Sequence, residues 1–183
     1  LQISSNFIQS GVFFLILFIL NSIISIPFSY YNTFVIEEKF GFNKTTKLTF
    51  FIDIIKSTLL SFFIGGILLF LALYLYENLN DGFWLWLWIG LSLLMILINM
   101  FYADLIVPIF NKLTPLDDGE LRNKIEKYSK DVGYLLKNIY VIDGSKRSTK
   151  ANAFFSGLGP RKTIALYDTC LLYTSDAADE VVR

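Results

Sequence analysis

Three long apolar runs constrain this chain more than any other feature of its sequence. They lie near residues 7–28, 59–76 and 84–106 and are built mainly of Phe, Leu and Ile. A helix rises about 1.5 Å per residue, so about 20 such residues cross the roughly 30 Å hydrocarbon core of a bilayer. The hydrophobic fraction of 54% is also too high for an ordinary soluble domain of this size. The sequence therefore predicts three membrane-spanning helices within residues 1–110.

The lysines that flank these runs predict the orientation of the helices. The first loop, residues 30–56, carries four lysines, the second, residues 77–82, carries no Lys or Arg, and the region after Asn111 carries many. Cytoplasmic loops are enriched in Lys and Arg. We therefore expect a multi-pass protein whose first loop and C-terminal region are cytosolic, in the inner membrane of a bacterium or the endoplasmic reticulum of a eukaryote.

The composition changes after Asn111, where the pattern becomes that of a small α+β unit. An apolar stripe with helical spacing, capped by Asp117 or Asp118 and ended by Gly133, predicts an amphipathic helix; its members are Leu121, Ile125, Tyr128 and Val132. Strands are predicted at residues 139–142, from Asn152 onward, and at residues 163–167. The fold class is therefore mainly α, with polytopic membrane helices followed by a cytosolic α+β unit over residues 111–169.

The turn between the first two of these strands is cationic. Lys146, Arg147 and Lys150 lie there within five positions. Loops held by a rigid scaffold often present charge to a partner, although a solvated turn between two strands has the same pattern. Asp104, at the end of the third run, is a functional candidate because acids at membrane depth are rare, and an interfacial hydrogen-bonding role is the alternative.

The composition also excludes several kinds of site. The chain has no histidine, so it forms neither a His-based catalytic triad nor a His-ligated metal site by itself. Its single cysteine, Cys170, permits no internal disulfide. A formal net charge of zero gives no indication of nucleic-acid binding.

Four ordered motifs together resemble one family, the type I CAAX prenyl proteases, which are membrane-embedded zinc metallopeptidases. Residues 31–43 resemble the first-loop signature of that family, and residues 102–104 with 114–116 resemble its exit from a later span. Residues 143–148 followed by 152–155 resemble its pre-catalytic strand, and residues 167–169 resemble the segment before its catalytic helix.

The resemblance implies an endopeptidase that cleaves near the C-terminus of isoprenylated CAAX proteins, or cleaves membrane-protein substrates in bacteria. The family holds zinc with a His-Glu-x-x-His helix and a downstream glutamate, and it places that helix shortly after Thr169. Because this sequence lacks the motif, we expect a fragment that binds no zinc and is inactive by itself. Residues 170–183 resemble a translated sequencing adapter and are expected to be non-native.

The resemblance also implies a substrate site. Peptide substrates of zinc metallopeptidases lie extended against an edge strand, and the family places that edge at Asn152, Ala153 and Phe154. Lys146 and Arg147 are expected to attract a substrate carboxylate, unless they form a basic turn near anionic lipid. The expected partners are a peptide or prenylated protein and the bilayer. The alternative is a non-enzymatic membrane interaction or transport protein, although the sequence shows no internal repeat of the transporter kind.

Overall fold

Three long helices form the first part of the chain in the computed structural model, which describes residues 5–79, 81–150 and 152–171. They are α1 (Ser5–Tyr31), α2 (Lys47–Asn78) and α3 (Phe83–Phe101). With the helical turns that continue them, the segments long and apolar enough to cross a membrane are Asn6–Glu37, Lys47–Asn78 and Phe83–Phe110. The three predicted membrane helices are confirmed.

Two of these helices extend well beyond the limits predicted for them. Pro27 does not end α1, which continues to Tyr31 and then as a π-helical segment, Asn32–Glu37. The proline removes one backbone donor, whereas an apolar surrounding requires every other backbone group to stay bonded within the helix. Residues 47–56, which were predicted to lie in the first loop, and the second span form one helix, because neither Gly nor Pro interrupts α2 before Gly65. The predicted first loop is thus reduced to the connecting segment, Phe40–Thr46.

Contacts between aromatic rings join α1 to α2. The ring centroids of Phe18 and Phe62 lie 6.2 Å apart, and those of Phe7 and Phe70 lie 5.7 Å apart. A Cβ added at Gly90 of α3 would come within 2.9 Å of the Leu71 side chain, so the absence of a side chain there permits close helix approach.

A four-stranded sheet forms the second part of the chain. The strands are β1 (Leu113–Pro115), β2 (Asn138–Ile142), β3 (Ala153–Ser156) and β4 (Thr163–Tyr167), in the spatial order β1-β2-β4-β3. Strands β2 and β4 are parallel, and the two outer pairs are antiparallel. Strand β1 was not predicted, because a three-residue strand that ends in proline has almost no pattern. Proline is tolerated there since β1 is an edge strand.

The core of this unit is small. Ile142 and Ala165 are completely buried and contact Val107, which belongs to a short helix, α4 (Val107–Phe110). The predicted amphipathic helix is α5 (Glu120–Asp131), and Gly133 follows it with φ of 68°, as predicted for a C-terminal cap. The predicted cap by Asp117 or Asp118 is wrong: Gly119 is the N-cap residue, and Asp118 instead pairs with Arg122 at 3.5 Å.

The described chain forms two compact units. Residues before Phe40 and residues Lys47–Met95 form the helical unit, whereas Phe40–Thr46 joins the unit that begins at Ile96 and contains the sheet. A segment that lies between two membrane helices in sequence therefore belongs to the sheet unit in space. The predicted domain limits at 110 and 169 remain a prediction.

Substitution of two glycines tests the turn after β3. Gly157 has φ of 91°, and a Cβ there would lie 2.0 Å from the backbone oxygen of Arg161. Gly133 also has positive φ, but an added Cβ would meet nothing within 4 Å. We expect Gly133→Ala to cost about 1–2 kcal/mol from backbone strain alone. Gly157→Ala should cost about 1–3 kcal/mol more, because the backbone must also shift.

The measurement is the unfolding free energy of the detergent-solubilised chain, taken from denaturant titration of each variant beside the parent. Equal losses for the two variants would contradict the close packing of Gly157 against Arg161.

Candidate functional site

The edge strand β3 is the centre of the candidate site. Ala153 is opposite Leu166 and Phe154 is opposite Ala165. The N–H of Tyr167 donates to the carbonyl of Asn152 at 2.9 Å. Bonded and non-bonded residue pairs alternate along an antiparallel ladder, so the groups of Phe154 and Ser156 face β4. The backbone groups of Ala153 and Phe155 consequently point to the outer side, where no described strand pairs with β3.

The side chains of β3 alternate between the two faces of the sheet. Phe154 packs against the buried core, with its ring centroid 5.5 Å from that of Tyr102. Phe155 is on the other face, 74% exposed and 6.3 Å from the Tyr134 ring. Ala153 is exposed and small, and its N–H donates to the side-chain oxygen of Asn152 at 2.8 Å. Asn152 and Ala153 therefore lie at the open edge, whereas the Phe154 side chain stabilises the strand by packing against the buried core.

The three predicted cations have separate surroundings. Lys146 is exposed at the end of a short 3₁₀ turn, Gly144–Lys146. Arg147 donates from its guanidinium group to the carbonyl of Phe110 at 2.6 Å and to the side-chain oxygen of Asn111 at 2.7 Å. The ammonium of Lys150 lies 5.0 Å from the centre of the Phe42 ring. The structure thus leaves Lys146 exposed and engages Arg147 in hydrogen bonds within the protein.

Ser145 and Asp168 hold this turn against the end of β4, and the sequence analysis gave neither a role. The Ser145 N–H donates to Asp168 Oδ1 at 2.8 Å, and the Ser145 hydroxyl donates to Asp168 Oδ2. Gly144 is required beside them, because a Cβ there would lie 2.1 Å from the Tyr167 ring. Burial against this turn raises the pKa of the Tyr167 phenol. The only sequence signal for the contact was an acid directly after a predicted strand.

Asp104 lies in a π-helical segment, Tyr102–Ile106, that follows α3. Its carboxylate is 3.3 Å from the Arg161 guanidinium and 4.0 Å from the Lys137 ammonium. Arg161 also covers the Phe101 ring at 4.6 Å. Such π-helical insertions often occur at functional sites because they redirect side chains. Here the insertion accompanies an ion pair between Asp104 and the connection from β3 to β4.

The described residues do not fit a zinc site. Among residues 5–79, 81–150 and 152–171, no three side chains of His, Cys, Asp or Glu lie together as a metal site requires. Structural and catalytic zinc sites use three or four such ligands, most often His and Cys. No chemical step is therefore assigned to zinc on these residues.

Two family models match this chain. Residues 1–112 match the N-terminal region of CAAX prenyl proteases, described as five membrane helices, and residues 115–182 match peptidase family M48. This chain belongs to the CAAX prenyl protease family. The resemblance stated from the four motifs is thereby confirmed, and the non-enzymatic alternative is not favoured.

Individual relatives agree with the family models. CAAX prenyl protease 1 of Saccharomyces cerevisiae is 43% identical over 178 residues, which are 97% of this chain and 39% of the relative. The CAAX prenyl protease 1 homolog of Homo sapiens is 39% identical over 163 residues, covering 89% of this chain and 34% of the relative. The crystal structure of S. mikatae Ste24p superposes with a TM-score of 0.82 at 41% identity, covering 92% of this chain and 40% of that chain.

This chain thus spans between about a third and two fifths of the length of the relatives reported above. Peptidase family M48 is zinc-dependent, so the family assignment implies zinc chemistry for the complete enzymes. The roles of Asn152, Ala153, Phe154, Lys146 and Arg147 remain predictions. The prediction that residues 170–183 are non-native concerns mainly residues 172–183, which lie outside the described residues.

Zinc binding by a polypeptide of this sequence is directly measurable. We expect less than one tightly bound zinc per chain, because a chain without histidine must use carboxylates and one thiol. Equilibrium dialysis against zinc, with metal quantified by elemental analysis, makes the test, and a full-length relative serves as the positive control. One tight zinc per chain would contradict the expectation.

Proposed function

We propose that this chain provides the membrane scaffold and the substrate-binding edge strand of a zinc metalloendopeptidase that cleaves near the C-terminus of prenylated CAAX proteins. A polypeptide of this sequence alone does not perform the hydrolysis, because it has no His-Glu-x-x-His motif. Family membership supports the reaction class. The single observation that carries the substrate role is the outer edge of β3, with its outward-facing backbone groups.

An extended peptide fits this edge by strand addition. The outward N–H and C=O groups of Phe155, and the C=O of Ala153, can bond to a peptide backbone, as in other β-augmented complexes. The small Ala153 side chain lets that backbone approach closely. The Asn152 side-chain oxygen accepts a hydrogen bond from the Ala153 N–H. If a peptide carbonyl is to accept from that N–H, the Asn152 side chain must rotate away. Its amide can then donate to the peptide, which offsets part of the lost bond.

Charge attraction for the substrate is assigned mainly to Lys146. It is exposed, whereas Arg147 already donates to Phe110 and Asn111. An ammonium in an exposed turn attracts a carboxylate at long range, and the attraction weakens as salt is added. Attraction to anionic headgroups by the same lysine is the second candidate role, favoured by its place in a protein with membrane helices.

The cellular location follows from the same features. The connecting segment and the sheet belong to one unit, which supports their lying on one side of the membrane. The lysines of the connecting segment and its flanks favour the cytosolic side for that unit. The relatives named above are eukaryotic, which favours the endoplasmic reticulum. Prenylated protein substrates and the bilayer are the proposed partners, and nucleic acid is not among them.

A proline substitution in the edge strand tests the proposal. We expect Ala153→Pro to lower kcat/KM at least about a hundredfold, because the scissile bond loses its alignment. Proline removes the N–H at this position and fixes φ near roughly −65°, which a pairing edge tolerates poorly. The variant is made in a full-length chimera in which this chain replaces the matching part of a family member, assayed with a farnesylated CAAX peptide.

Two controls accompany this variant. Ala153→Gly keeps the N–H and should remain close to the parent, and Leu158→Pro lies in the exposed connection after β3 and should cost much less activity. Zinc content and thermal midpoint are measured for each variant to show that the fold is retained. An Ala153→Pro enzyme as active as the parent would refute substrate pairing at this strand.

A further inference from the structure

The connecting segment, Phe40–Thr46, pairs with the chain that leads into β3. The Lys44 N–H donates to the Arg147 carbonyl, and the Thr149 N–H donates to the Phe42 carbonyl, both at 3.0 Å. Asn43 and Ser148 form an antiparallel bridge between these two bonds. The substrate proposal gives this segment no role, although it carries part of the first-loop motif.

Side chains strengthen this pairing from both strands. The Thr45 hydroxyl donates to the Arg147 carbonyl at 3.0 Å, and the Thr149 hydroxyl donates to the Gly41 carbonyl at 3.3 Å. The segment also holds its own shape, since Asn43 accepts the Thr45 N–H at 2.8 Å. The Lys150 ammonium above the Phe42 ring adds a cation–π contact.

Arg147 joins this pairing to two further segments. Its carbonyl accepts from Lys44 and Thr45, and its N–H donates to Gly144 at 2.9 Å. Its guanidinium group donates to Phe110 and Asn111 at the end of α4. One residue thus fixes the connecting segment, the 3₁₀ turn and the end of α4 relative to each other, six positions before Ala153.

We propose that Arg147 and the connecting segment position the edge strand for substrate, with Arg147 as a positioning residue. This inference rests on the proposed function of β3. The strand pairs with β4 on one side, so the point where the chain enters β3 determines how an added peptide is aligned. Alignment within about 0.5 Å is what productive binding sites require.

The guanidinium group suits this role better than an ammonium would. Its two acceptors, a helix-end carbonyl and an amide oxygen, are reached by different nitrogens of one rigid fork. Lysine offers a single charged nitrogen on a flexible stem and does not reproduce that geometry. Arg147→Lys therefore keeps the charge while loosening the attachment.

Arg122 provides a matched control. Its guanidinium group also donates to a backbone carbonyl, that of Leu116 at 2.6 Å, and to a carboxylate, that of Glu126 at 2.9 Å. It lies on α5 and contacts neither β3 nor the connecting segment in these bonds. Arg122→Lys thus removes a comparable number of side-chain hydrogen bonds but leaves the segment that leads into β3 unchanged.

The test uses the full-length chimera with the farnesylated CAAX peptide as probe. We expect Arg147→Lys to lower kcat/KM roughly 10- to 100-fold, with most of the loss in kcat, because a displaced strand misaligns the scissile bond. Thr45→Val, which removes only the hydroxyl donor, should also lower kcat/KM, by a smaller factor. Arg122→Lys should stay within about twofold of the parent, at a similar thermal midpoint to Arg147→Lys.

Hydrogen exchange gives a readout that does not depend on activity. Faster amide exchange is expected in residues 147–156 of Arg147→Lys and Thr45→Val, with residues 138–142 of β2, which does not pair with β3, unchanged. The whole profile of Arg122→Lys should stay unchanged. If Arg147→Lys fails to fold, the kcat/KM and amide exchange of Thr45→Val alone decide whether the connecting segment positions β3.

The possible outcomes separate the two proposals. If Ala153→Pro is inactive but Arg147→Lys and Thr45→Val behave like Arg122→Lys, the positioning role is refuted and the substrate strand stands. If Ala153→Pro is fully active, the substrate strand itself is refuted. An equal effect of Arg147→Lys and Arg122→Lys on kcat would show a purely structural role and overturn the inference.

Discussion

The parallel pairing of β2 with β4 is the interaction on which the candidate site depends. Because β4 lies between β2 and β3, the chain that leaves β2 must cross to the far side of β4 before it can form β3. That crossing puts β3 at the edge of the sheet and makes the intervening turn long. Both the open edge and the need to hold the turn are consequences of this one pairing.

The same pairing brings two aspartates to one edge of the sheet, where each accepts a backbone N–H from a neighbouring segment. Parallel strands end at the same edge of a sheet, so Asp143 after β2 and Asp168 after β4 both lie there. Asp143 accepts the N–H of Lys112 at 2.7 Å, and Asp168 accepts that of Ser145 at 2.8 Å. Each carboxylate satisfies a backbone donor that no strand partner reaches. Asp143 therefore joins the end of β2 to the residue before β1, and Asp168 holds the turn.

The sequence predicted the long elements well because a bilayer leaves few choices for the backbone. The apolar runs required helices, and each run lies in a helix long and apolar enough to cross a membrane. Their ends were predicted less well: hydropathy falls at Tyr30 and at Lys56, yet the helices pass both points. Hydropathy indicates which part of a helix is surrounded by lipid, whereas the ends of the helix are set by its backbone hydrogen bonds. A strand was predicted from Asn152 onward and β3 is present at Ala153–Ser156, while β1 was too short to have a pattern.

Arg147 shows why local sequence could not decide the role of a cation. It is next to Lys146 in the same cationic turn, and both were predicted to attract a substrate carboxylate. Its acceptors come from Phe110 and Asn111, which lie 37 and 36 positions earlier in the chain. A carbonyl at the end of a short helix is free to accept, and only the folded arrangement brings it to the guanidinium group. The difference between the exposed Lys146 and the hydrogen-bonded Arg147 is therefore set by tertiary contacts, which no window of the sequence around the turn contains.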